Sequence, residues 1–191
     1  NGITIWDASN WGKLQTLAKS SASHAWWDPF DAKAFSADGT TLALGVMEGQ
    51  KTEIKLWNVA SLRAAGGADR PVCVLQRGAG VANAVVYLAF SNDGRRLAPA
   101  SPKSLPLWDA QTGELLASAP GATRITGMVF LPDHSTLVTS SWRQNIEVWD
   151  VSTGTSVTLV ASIPAHDNEL MSLAVAPDGK TLASGCKDGT I

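Results

Sequence analysis

The sequence predicts an all-β chain of repeated four-stranded units, and three observations carry that prediction. An apolar residue, a Trp and an Asp or Asn stand together four times, as Ile5-Trp6-Asp7, Leu56-Trp57-Asn58, Leu107-Trp108-Asp109 and Val148-Trp149-Asp150, at spacings of 51, 51 and 41 residues. A second mark recurs among them, a turn entered from an apolar residue: Phe35-Ser36-Ala37-Asp38-Gly39, Phe90-Ser91-Asn92-Asp93-Gly94, Phe130-Leu131-Pro132-Asp133-His134 and Val175-Ala176-Pro177-Asp178-Gly179. The stretches around these marks, such as Arg124-Ile125-Thr126-Gly127-Met128-Val129-Phe130, are short, β-prone and bounded by turn residues, and helical periodicity is almost absent. Two marks in fixed order, repeating every 40 to 50 residues or so, indicate a repeat architecture. Four short antiparallel strands per unit make a propeller blade.

The Trp-Asp dipeptides, the Asp-Gly hairpins and the closing Leu182-Ala183-Ser184-Gly185-Cys186-Lys187-Asp188-Gly189-Thr190-Ile191 resemble the WD40 repeat family across essentially the whole chain. The resemblance implies a β-propeller, with strands a to d in each blade and the Trp on strand c. On that order residues 1–19 hold strands c and d, a half blade. Residues 20–71 form a blade whose Asp38-Gly39 hairpin joins strands a and b, because Asp-Gly tolerates the positive φ of a tight turn. Its entry, Ser20 to Pro29, is longer than a plain turn and carries Trp26 and Trp27; the Gly- and Ala-rich residues 61–71 lengthen its c–d connection into a loop. Residues 72–118 form the next blade, from strand Ala84 to Phe90 through Trp108 to a last strand at Glu114 to Ser118, and residues 119–159 the next, built around Trp149. Residues 160–191 hold strands a and b and the start of c, a second half blade. The expectation is therefore a WD40-type propeller segment of three complete blades plus a half blade at each end, all one domain. A closed ring needs on the order of 300 residues at about 40 to 45 per blade, so the chain reads as an internal segment of a longer propeller. The matching ends offer a second route, ring completion by a second copy.

The family often links a His before strand a, a Ser or Thr on strand b, an Asp in the b–c turn and the strand c Trp by hydrogen bonds. Such a link suits a buried indole N–H, which needs an acceptor. Carried over, the resemblance makes His166, Ser184 and Asp188 a structural tetrad short of its Trp, and makes Trp6, Trp57, Trp108 and Trp149 the blade-core indoles. Elsewhere the pattern decays. Before Trp149 only Thr139 remains, with Gly121 and Arg143 at the His and Asp positions; before Trp108 strand b reads Ala98-Pro99-Ala100; before Trp57, His24 is two residues out of register.

Composition narrows the function. With 45% apolar and 17% charged residues the chain is globular, and a net charge of −2 offers no sequence-wide attraction to nucleic acid or anionic lipid. No apolar run reaches the roughly 18 to 20 residues that cross a bilayer. Three His and two Cys show no catalytic or metal-ligating spacing, and neither a nucleophile elbow nor a phosphate-binding loop occurs. No cofactor, metal or catalytic residue is expected. Cys73 and Cys186 read as small buried hydrophobes, and a cytoplasmic location is the default.

What remains is surface. The resemblance places a partner-binding rim on the face made by the d–a and b–c turns, here at Asp31, Arg124, Thr126, Trp142, Glu169, Met171 and Lys187. Trp142 stands out as an aromatic off the blade-core position and beside a basic residue, the composition of an interface anchor. The leading expectation is a non-catalytic scaffold for a protein or peptide partner, or for other domains of its parent chain, with neither nucleic acid nor membrane as partner. One alternative is the regulatory or sensor propeller of a larger signalling protein, a kinase or nucleotide-switch ATPase. Another is an enzymatic propeller, against which the strand c Trp-Asp pairs speak.

Overall fold

Strands β1 (Gly2–Trp6) and β2 (Lys13–Lys19) pair as a two-stranded sheet. Three four-stranded sheets follow in the computed structural model, which describes residues 2–19, 32–48, 51–63, 70–75, 85, 87–101, 104–120 and 125–191. The second sheet contains β3 (Lys33–Phe35), β4 (Thr41–Glu48), β5 (Lys51–Asn58) and β6 (Cys73–Leu75). The third contains β7 (Tyr87–Phe90), β8 (Arg96–Ala100), β9 (Ser104–Asp109) and β10 (Leu115–Pro120), and the fourth β11 (Ile125–Phe130), β12 (Thr136–Ser141), β13 (Asn145–Asp150) and β14 (Thr158–Pro164). Strands β15 (Leu170–Val175) and β16 (Leu182–Cys186) form the fifth sheet, of two strands. Every sheet is an antiparallel meander. Three complete blades flanked by two half blades are thus present.

The sheet edges fall elsewhere than the boundaries expected from sequence. Strand β6 pairs with β5, Cys73 opposite Leu56, so the second sheet runs past residue 71. Strand β10 ends at Pro120 rather than 118, and β14 closes the fourth sheet across the expected division between 159 and 160. The c–d connection after Trp57 is not all loop either. Asn58 Oδ1 accepts the Ser61 amide at 3.1 Å and starts a one-turn helix, α1 (Val59–Arg63), whose Leu62 is buried. Residues 20–31, with His24, Trp26, Trp27 and Asp31, lie outside the described residues, as do 64–69.

The turns explain why Asp recurs. Asp38, Asp93, Asp133 and Asp178 each accept a backbone N–H two residues on, from Thr40, Arg95, Ser135 and Lys180, at 2.9–3.0 Å. Gly39, Gly94 and Gly179 then take φ of 68°, 69° and 70°, which costs glycine nothing. His134 takes the same conformation at φ 62° without that freedom. The Asp of the Trp-Asp pair plays a parallel part in the c–d turn, where Asp7, Asp109 and Asp150 accept the amides of Ser9, Gln111 and Ser152.

The cores lie between sheets, and strand alternation feeds two of them at once. On β4, Leu42, Leu44 and Val46 face the first sheet while Ala43 faces the third; on β9, Leu105 and Leu107 face the fourth sheet while Trp108 faces the second. On β13, Trp149 packs toward the third sheet and Ile146 toward the fifth. The first strands β3, β7, β11 and β15 touch in succession. Gly127 shows how closely: a Cβ there would stand 3.0 Å from Leu173 Cβ and 2.8 Å from Ser140 Oγ.

Candidate interaction face

The b–c turns and the d–a connections share one end of the sheets, and that end carries the polar network. His166, just before β15, reaches Ser184 Oγ on β16 through Nε2 at 2.9 Å and Thr190 Oγ1 through Nδ1 at 3.0 Å. The Thr190 hydroxyl donates to Asp188 Oδ1 at 2.7 Å. Since that hydroxyl is spent as a donor, its oxygen accepts the Nδ1–H. Asp188 is therefore joined to His166 through Thr190, a residue the sequence reasoning passed over. Its signal was the Asp-Gly-Thr spacing, which lets the carboxylate take both the amide and the hydroxyl of Thr190. Those two bonds, the hydroxyl's first, hold the Asp188 carboxyl below its usual range.

The fourth sheet shows the bond from indole to strand-b hydroxyl. Trp149 Nε1 donates to Thr139 Oγ1 at 3.0 Å, and Thr139 in turn faces Glu147 Oε2 at 3.5 Å. Burial, only partly opposed by Thr139, pushes the Glu147 carboxyl up. Trp57 and Trp108 are equally buried, yet their Nε1 atoms find no acceptor among the described residues. The register gives the cause. Trp149 stands opposite Leu137, Trp57 opposite Leu42 and Trp108 opposite Leu97; two residues on, the Thr139 position is taken by Leu44 and Pro99. Trp6 differs from the other three, since it is 57% exposed on the outer face of the first sheet.

Of the residues expected at the rim, Thr126, Trp142, Glu169, Met171 and Lys187 are among the described residues. Glu169 and Lys187 are tied twice, by an Nζ to Oε2 ion pair of 3.0 Å and by the Lys187 amide donating to the Glu169 carbonyl at 3.0 Å. Met171 is exposed on β15, and Trp142 is 44% exposed in the β12–β13 turn. The Gln144 side chain of that turn donates to the Asp167 carbonyl at 2.9 Å, binding the two loops together. Thr126, by contrast, is not a surface group. It is buried against Ser140 Oγ at 3.2 Å, because a register shift between Ile125 and Gly127 upsets the alternation that would turn it outward. Arg124 and Asp31 lie outside the described residues. Cys73 and Cys186 are free thiols, partly and fully buried, and burial followed by the Asp109 charge pushes the Cys73 thiol up. No three His, Cys, Asp or Glu among the described residues gather as a metal site, and no helix there is long and apolar enough to cross a membrane.

The family model "WD domain, G-beta repeat" matches residues 113–150 and 157–191. Coronin-7 of Rattus norvegicus is 30% identical over 175 residues, 85% of this chain. The chain belongs to the WD40 repeat family. Each matched WD40 repeat starts at the last strand of one sheet and runs into the next: 113–150 takes in β10 and then β11 to β13, so every sequence repeat laces two blades together. Periodic tryptophan protein 2 of Arabidopsis thaliana is 34% identical over 88 residues, 44% of this chain. These alignments span 18% of Coronin-7 and 9% of the periodic tryptophan protein, so the chain corresponds to a minor part of each. A solved chain of the mitotic checkpoint complex superposes with a TM-score of 0.74 at 21% identity, covering 94% of this chain and 53% of that one, a likeness of fold.

Proposed function

We propose that this WD40 chain is a non-catalytic binding module that presents the b–c and d–a loop face, with Trp142 as its anchor, to a protein or peptide. The observation that carries the reading is a half-exposed Trp on a turn held in place by Gln144. An amphipathic aromatic on a rigid loop is the kind of group that dominates binding energy once a partner covers it. The exposed Met171 and the Glu169–Lys187 pair supply an adaptable apolar contact and a polar rim on the same end. The two free thiols suit a reducing compartment. The test is selection from a displayed random-peptide library against the chain. Peptides that bind should lose about tenfold or more in affinity for Trp142→Ala and keep it for Trp11→Ala, a control exposed in the β1–β2 turn. Equal affinity for the folded Trp142→Ala variant contradicts the assignment.

A further inference from the structure

The b–c hairpins of the three complete sheets differ in height. Trp57, Trp108 and Trp149 stand opposite Leu42, Leu97 and Leu137, which marks a common level in each sheet. From that level β12 runs four residues to Ser141, and β8 runs three to Ala100, where Ser101 and Ser104 close the turn by a single bridge. Strand β4 runs six residues, to Glu48, and its ladder with β5 continues through Val46–Glu53, Met47–Thr52 and Glu48–Lys51. At about 3.4 Å per residue the hairpin of the second sheet stands roughly 7 Å above that of the fourth. Its last pairs also outrun the flanking strands. Among the described residues, the contact of β4 with its inner neighbour ends at Gly45, whose N–H donates to the Ala32 carbonyl, and the pairing of β5 with β6 ends at Ile54. In the fourth sheet both neighbours keep pace with the hairpin, Ile125 opposite Ser141 and Pro164 opposite Asn145.

Strand order says where this projection points. The first strands β3, β7 and β11 touch in succession on the inner side of their sheets, so the edge of β4 that follows β3 looks toward the middle of the loop face. Backbone groups alternate along a strand, and Met47 therefore directs its N–H and C=O to the same side as Gly45, toward that inner edge. The third sheet lies between the tall hairpin and the Trp142 turn. Its own turn is low and closed on itself: Ser101 and Ser104 are buried, and Ser101 Oγ lies 3.0 Å from both the Ser104 carbonyl and the Ser104 hydroxyl. Stacked sheets are about 10 Å apart, so the hairpin and the Trp142 turn stand about 20 Å from one another, a span that an extended chain covers in about six residues. We propose that the partner held at Trp142 is an extended peptide segment that crosses the third sheet and pairs, main chain to main chain, with the inner edge of the β4–β5 hairpin, a placement that rests on the loop-face reading of Trp142. Pairing on a strand edge asks for an extended stretch free of proline rather than for one particular sequence. Trp142 then supplies the side-chain contact and the hairpin the backbone one.

The probes are peptides selected against the chain from a displayed random-peptide library, synthesised at about ten residues and cut to about four. The long form should bind about tenfold or more tightly than the short one. A photo-reactive group at one end of the long form should crosslink to residues 47–52, as located by mass spectrometry on the unaltered chain. Deleting Met47, Glu48, Lys51 and Thr52 leaves Gly49-Gln50 to close the turn on the Val46–Glu53 pair, and should abolish the advantage of the long form while circular dichroism checks the fold. Long and short forms of equal affinity overturn the inference, as do crosslinks confined to residues outside 47–52, or a folded shortened chain that keeps the full preference; each of these leaves the Trp142 assignment standing. Long peptides that bind the folded Trp142→Ala variant undiminished overturn the loop-face reading, and this placement with it.

Discussion

At Thr139 a single hydroxyl decides whether a blade-core indole is satisfied. It accepts the Trp149 N–H, and the Trp57 and Trp108 indoles, facing Leu44 and Pro99 instead, have no acceptor among the described residues. Thr139→Val keeps the shape of the side chain and removes the acceptor. It should lower stability by about 1–3 kcal/mol, the cost of leaving a buried donor unmet, measured as the shift in urea midpoint at constant m-value. A change indistinguishable from zero would mean the Trp149 N–H finds another acceptor. The indole positions were legible from the Trp-Asp spacing, and so was Thr139 as the surviving polar partner. Thr190 was not, because its part depends on a turn that folds its hydroxyl back between Asp188 and His166. Thr126 was misread for a different reason: inward and outward positions alternate along a strand until a bulge interrupts them, and nothing in Ile125-Thr126-Gly127 announces one.

At the scale of the elements, the turns rather than the strands carry the ionisable groups that matter. Asp38 is held below the usual carboxylate range chiefly by the Ser36 hydroxyl, Asp109 by the Thr112 amide and Asp150 by the Ser152 amide. At Asp93 and Asp133 burial pushes upward, and the Ser91 and Thr136 hydroxyls with neighbouring amides outweigh it. A carboxyl lowered by folding contributes stability that is present above its unfolded pKa and lost as pH falls through the folded value. Glu147, raised by burial, has the opposite sign but stands alone against these turns. The melting temperature should therefore hold from neutrality to about pH 4 and fall steeply below it, with Asp133→Asn giving a shallower fall. A melting temperature flat down to about pH 3 would remove the turn carboxylates from the account. The hairpins themselves were readable as Asp-Gly and Asp-His pairs. The fourth strand of the second sheet was harder to place, because β6 is three residues long and follows an insertion that starts as a helix on the Asn58 cap.

For the whole molecule, stability comes from contacts between successive sheets, as in other repeat proteins. A sequence repeat that begins at the outer strand of one blade and ends at the third strand of the next makes those contacts covalently continuous. The number of blades and their order were evident from the Trp and Asp marks, whereas the fourth strands β6, β10 and β14, which carry neither mark, run a few residues past the boundaries expected from sequence. The loop face is polar structure that the same stacking holds at one end of the sheets. Proton exchange of the indole N–H groups, resolved by NMR, addresses the stacking directly. The account predicts slow exchange for Trp57, Trp108 and Trp149, each lying on the preceding sheet, and fast exchange for Trp11, 77% exposed. Exchange of Trp57 and Trp108 as fast as that of Trp11 would contradict it.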